Sequence, residues 1–215
     1  MRYVIVHAPM DPETFEVWRD IYYFLTQKIG RAAFPIFCFM LVEGAIHTKN
    51  RIKYLFRLLL FSLISEPFFD LCLKEGYTFE RQNVYFTLAI GLLAIILYDY
   101  IYVKLLDKNR IFMGACIIAV LLACMGLAYV IKSDYSYKGV LLISIFYLLR
   151  MERLWSCILG YLCFLYEPFS ILGFAVLPFY NGKRKAGHKY FSYIFYPLHL
   201  GIIFIARKLV QLYIL

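Results

Sequence analysis

The chain has 215 residues, of which 63% are hydrophobic and 20% aromatic, and its mean hydropathy is +0.69. A soluble domain of this length has too little interior to hide so much apolar surface, so the composition points to an all-α, polytopic membrane helix bundle. The formal net charge of +9 sits in short gaps between apolar runs, where topology signals and lipid contacts belong, and this argues against nucleic-acid binding.

Residues 1–29 open with MRYVIVHAPMDPETFEVWRD, a short apolar start that turns acidic and offers no cleavage region, so no secretory signal is read there. About eight apolar spans follow, at 30–46, 52–66, 83–103, 111–131, 138–149, 154–166, 169–180 and 190–213. Pro67 is expected to stop the second. The fifth to seventh are short, since a bilayer-crossing helix needs about 20 residues. Loop charge supports them all the same. HTKNRIK (47–53), KLLDKNR (104–110), RMER (150–153) and NGKRKAGHK (181–189) are basic. DLCLKEGYTFERQ (70–82), KSDYSYK (132–138) and Glu167-Pro168 are acidic or balanced. The alternation places the basic loops in the cytoplasm, and residues 1–29 and the C-terminus outside. The expected organisation is an extracytoplasmic segment over 1–29 and a membrane domain over 30–215. The six cysteines form no CxxC pair and read as small buried hydrophobes; no metal site is expected.

Charges inside apolar helices are costly, about 2.5–3.5 kcal/mol each on insertion scales, so each needs a partner or a purpose. Glu43 and Arg57 lie equally far on either side of a turn near Asn50 and share a depth, which predicts a structural ion pair between the first two helices. Glu43 and His47 share a helix face. At the other end Arg31, Glu66, Asp70, Asn83 and Thr87 fall in one layer. Arg31 with Glu66 reads as a second structural pair, or all five read as a polar pocket. In FYPLHL, Pro197 removes a helical hydrogen bond beside Tyr196 and His199. His199 either bonds a neighbouring carbonyl or serves as a general base. The run at Lys183, Arg184 and Lys185 is a positive-inside anchor, or a holder of phosphates; it is not a P-loop.

Four segments then carry a resemblance. GRAAFPIFCFMLVEGAIHTKNRIKYLFRLLLFSLISEPFFD, QNVYFTL, YNGKRK and KYFSYIFYPLHL, in this order across residues 29–212, resemble the core of the TraX family. That family is associated with N-terminal acetylation of the conjugative pilin subunit. It is similar to membrane acyltransferases that draw an acyl group from cytoplasmic acyl-coenzyme A. The resemblance implies a multi-pass protein of the bacterial inner membrane that uses acetyl-CoA as donor. The acceptor would be an amine or hydroxyl on a peptide N-terminus, a glycan or a small molecule. Joined to the charges above, it gives His199 as base and Arg31, Glu66, Asp70, Asn83, Thr87 and Tyr196 around the acceptor. Lys183, Arg184 and Lys185 are expected at the donor. Family members typically begin with a further helix carrying an Asp-His-Ile-Gly-type motif. His7 in VIVHAPM does not match it, and the expectation is a helix preceding Met1 or, as the alternative, an inactive truncated homologue. The alternative is a non-catalytic membrane protein, an assembly partner or small-solute carrier.

Overall fold

The computed structural model describes residues 12–24, 30–73, 81–106, 109–182 and 191–214, and no strand occurs among them. The helices are α1 (Pro12–Tyr23), α2 (Gly30–His47), α3 (Arg51–Leu73), α4 (Val84–Leu105), α5 (Arg110–Val130), α6 (Ser136–Leu148), α7 (Arg153–Cys163), α8 (Ile171–Val176) and α9 (Phe191–Ile214). Single 3-10 turns, Pro168–Ser170 and Leu177–Phe179, flank α8.

Asparagine starts three of these helices. Asn50 Oδ1 accepts from the Lys53 amide, Asn83 Oδ1 from Tyr85 and Asn109 Oδ1 from Ile111, each at 2.9 Å. A short amide side chain at this position satisfies an amide that the helix itself cannot. The α5–α6 turn ends α5 differently. Lys132 adopts φ 56°, its amide bonds Tyr129 O, and the Ser133 amide reaches back to Ala128 O at 3.2 Å. This is a Schellman closure with lysine where glycine is usual.

One expectation needs correction here. Pro67 does not stop the second helix: α3 continues to Leu73. Proline removes only its own amide from the ladder, and burial of Phe69 and Asp70 on the following turn holds the helix together. Within the N-terminal segment, residues 12–23 form α1, with Pro12 in the first position, where its missing amide costs nothing. The short fifth to seventh spans are short helices here too. α6 and α7 have 13 and 11 residues, and α8 is a single six-residue piece between its 3-10 turns.

α4 lies at the centre, against α2, α3, α5 and α6, while α9 packs on α3 and α7–α8 close over α2 and α6. Contacts fix the directions. Thr87 meets Gly139, Gly91 meets Ile143 and Tyr98 bonds Ser144, so α4 and α6 run parallel. Phe61 stacks on Tyr193 and Phe68 meets Gly201, so α3 and α9 are parallel as well. Asn83 bonds Ser62 O, which makes α3 and α4 antiparallel. Close approach depends on glycine: a Cβ on Gly91 would stand 2.3 Å from Ile143 Cδ1, and one on Gly173 2.3 Å from Ala32 O.

The outer surface is apolar. Phe56 is 67% exposed, Leu63 64%, Ile111 81% and Val130 76%. α4 and α5 are long and apolar enough to cross a membrane unaided; α4 is largely buried inside the bundle and α5 hardly at all. Every helix set around α4 therefore turns side chains outward that water would solvate poorly.

Candidate functional site

The polar residues singled out on α3, α4 and α9 come together at the start of α4. Four successive amides there lack helical partners, and each finds one. The Asn83 amide donates to Glu66 Oε2 at 3.1 Å. The Val84 amide donates to the Tyr196 hydroxyl. Tyr85 donates to Asn83 Oδ1 and Phe86 to Asn83 O at 3.2 Å. Asn83 Nδ2 bonds both Ser62 O, at 2.8 Å, and Glu66 Oε2, at 2.5 Å. Asn83 is wholly buried. The Glu66 carboxylate thus rests at the positive end of the α4 dipole, which favours its charge by about 0.3–1 kcal/mol or more where partly buried.

Asp70 is buried one turn beyond Glu66 on the same face of α3. Thr87 is buried one turn into α4; its hydroxyl makes no hydrogen bond, and its methyl faces Gly139. Tyr196 lies within electrostatic reach of Glu66 and Asp134, and its ring meets Tyr85 edge-on at 4.9 Å. Tyr85 in turn donates to Tyr193 O at 3.2 Å. His199 stands beside Tyr196, with ring centroids 5.3 Å apart, and stacks on Phe195. Its Nδ1 lies 3.1 Å from Phe195 O. A carbonyl only accepts, so Nδ1 carries the proton and Nε2 presents its lone pair. His199 therefore bonds a neighbouring carbonyl, one of the two readings given for it, and Nε2 is the ring's accepting nitrogen. The same end is closed by an Arg81–Asp134 ion pair and by the Gln82 amide on Lys132 O at 2.9 Å.

Other expected residues fare differently. Arg31 opens α2, but its side chain lies outside the described part, as do Lys183, Arg184 and Lys185. The Glu43–Arg57 pair does not form. Glu43 faces His47 on its own helix at 3.9 Å, and the Arg57 guanidinium lies 6.0 Å from the Tyr54 ring centroid, with a buried Nε that makes no hydrogen bond. Equal depth puts two residues at one level, but rotation about the helix axis decides whether they face each other.

A second polar group, missed by the sequence reading, occupies the opposite, basic end. Asp99 pairs with Arg51 and accepts from the Tyr147 hydroxyl. Arg51 Nε bonds Ala45 O at 2.7 Å. Arg150 bonds Tyr147 O at 3.0 Å and lies 4.5 Å over its ring. Arg153 bonds Tyr180 O beside the rings of Phe39 and Tyr180. A signal was available: Asp99 is the one acid between residues 84 and 106.

An all-helical bundle with two membrane-length helices, an apolar exterior and polar clusters at its ends is a membrane protein. The chain belongs to the TraX family, whose description, "TraX protein", matches residues 15–207. It is similar to the "probable fimbrial assembly protein FimC, serogroup H1" of Dichelobacter nodosus, at 29% identity over 90% of this chain and 86% of that protein. No solved structure matches it.

Proposed function

We propose that this protein crosses the bacterial inner membrane several times and transfers an acetyl group from acetyl-CoA to an amine or hydroxyl acceptor. Membership of the TraX family supports the reaction class. The observation that carries the site is His199: Nδ1 bonds Phe195 O, which leaves Nε2 as the basic nitrogen, and the ring stands beside Tyr196. Nε2 would take the acceptor proton as the acceptor's lone pair attacks the thioester carbonyl. The imidazolium would return that proton to the leaving thiolate. Glu66, Asp70, Asn83, Thr87 and Tyr196 would orient the acceptor, with Arg31 beside them. Lys183, Arg184 and Lys185 would meet the donor at the basic end.

Multi-pass insertion is supported by the alternating helix directions and by the apolar exterior on α3, α5 and α7. The test is purified protein with labelled acetyl-CoA and a panel of peptide, glycan and small amine acceptors. Label on any acceptor supports the reading; neither donor binding nor transfer ends it. The printed name of the Dichelobacter relative supports a second reading, a non-catalytic component of fimbrial assembly. On that reading the protein copurifies with pilus subunits and carries no transferase activity.

A further inference from the structure

The basic end holds three guanidinium groups, of which Arg51 alone pairs with a carboxylate among the described residues. Each takes a carbonyl near a helix C-terminus: Arg51 that of Ala45, Arg150 that of Tyr147, Arg153 that of Tyr180. These contacts place cations at negative helix ends. They use only part of what the groups offer, since a guanidinium has five N–H donors. The carboxylate partner of Arg51 is Asp99, and among the described residues Arg150 and Arg153 pair with none. Asp99 bonds the hydroxyl of Tyr147 and Arg150 stacks on that same ring, while Arg153, three residues on, lies beside Phe39, whose ring meets Phe146, the neighbour of Tyr147. Three cations and one paired acid leave a formal charge of +2. Glu152, in the same turn, is exposed and makes no ion pair among the described residues.

Local geometry keeps this charge from being an ordinary surface patch. Phe39 of α2 meets Phe146, Tyr180 and Arg153, so the α6–α7 turn lies level with the middle of α2. α2 runs on for eight residues past Phe39, about 12 Å, and α4 for six past Asp99, about 9 Å. The turn that carries Arg150 and Arg153 therefore sits back from the ends of α2 and α4; Arg153 is half-buried against aromatic rings, and Arg150 is exposed over the ring of Tyr147.

We propose that Arg51, Arg150 and Arg153 form a binding site for a phosphate group at the basic end of the bundle, separate from the His199 cluster. A phosphate dianion matches the charge, and planar guanidinium forks match its oxygens two at a time. The source of the phosphate is either a soluble phosphorylated molecule or an anionic lipid headgroup. The site is independent of the acetyl-transfer reading, although a phosphorylated donor would be one molecule it accepts.

The test uses the full protein in two arms. In detergent, inorganic pyrophosphate is titrated by calorimetry at low ionic strength. In nanodiscs, retention of phosphatidylglycerol against phosphatidylcholine is read by native mass spectrometry. The wild type binds in at least one arm, and which arm identifies the source. The Arg150→Gln, Arg153→Gln double variant weakens that binding by about tenfold or more, while Lys132→Gln, an exposed cation at the other end, changes it less than about twofold. Should the double variant fail to fold, Arg150→Gln alone, on an exposed side chain, gives the decision. No binding in either arm, or equal binding by variant and wild type, overturns the site. Because no acetyl donor or acceptor is present, a failed transferase assay leaves this result standing, and the converse also holds.

Discussion

Replacing Asn83 by alanine removes three bonds at once. The Tyr85 amide loses its cap, which costs about 1 kcal/mol at helix starts. Ser62 O loses a buried donor, about 1 kcal/mol, and Glu66 loses a charge-assisted one, about 1.5–3 kcal/mol. With Asn83 wholly buried, water does not replace these partners cheaply. The combined loss is about 4 kcal/mol. Unfolding of the purified protein in detergent, followed by heat or denaturant, measures it. Asn83→Ser should recover about 1 kcal/mol by restoring the cap alone. Asn83→Asp keeps the cap but sets a second carboxylate against Glu66 and should be no better than alanine. A loss below about 1 kcal/mol for Asn83→Ala would refute the idea that this cluster fixes α3 to α4.

Three further outcomes follow from the packing and the polar cluster. Gly91→Ala drives a Cβ into Ile143 and should cost about 1–3 kcal/mol; adding Ile143→Val removes the atom at 2.3 Å, so the double variant should lose less than the two single losses together. Thr87→Val deletes a buried hydroxyl that has no partner, so stability should hold or rise by about 1 kcal/mol, and a fall in transfer activity without unfolding would assign that hydroxyl to the acceptor. In a cysteine-free background, a membrane-impermeant maleimide should label Lys49→Cys and Met151→Cys from one side of sealed vesicles and Lys132→Cys from the other. Labelling of all three from one side would end the multi-pass reading.

Much of the bundle was legible because apolar runs and loop charges carry its register. Each of the eight expected spans contains a described helix, and the asparagines at 50, 83 and 109 mark starts that spacing alone suggests. The layer of Glu66, Asp70, Asn83 and Thr87 was legible from depth, since residues near one end of antiparallel helices must meet. Depth does not give rotation, which is why Glu43 and Arg57 share a level without touching. Nor does it give neighbours distant in sequence. The parallel packing of α9 on α3 is what brings Tyr196 to the Val84 amide. Pro67 misled for a related reason: the local penalty is real, but the packing of Phe69 and Asp70 outweighs it. Asp99 was overlooked beside a stretch of isoleucine and leucine, although an acid in such a stretch is itself a signal.

The most direct measurement of the central claim is acetyl transfer by wild type and His199→Gln side by side. The assay uses labelled acetyl-CoA and protein expressed from its own complete reading frame. Glutamine keeps a polar group near Phe195 O but has no basic nitrogen, so folding should change by less than about 1 kcal/mol on this exposed part of α9. The account predicts a labelled acceptor with wild type and a loss of about 100-fold or more in the variant, the scale of a general base. Equal transfer by both proteins would remove His199 from the chemistry. No donor binding and no transfer by either would contradict the acyltransferase reading itself.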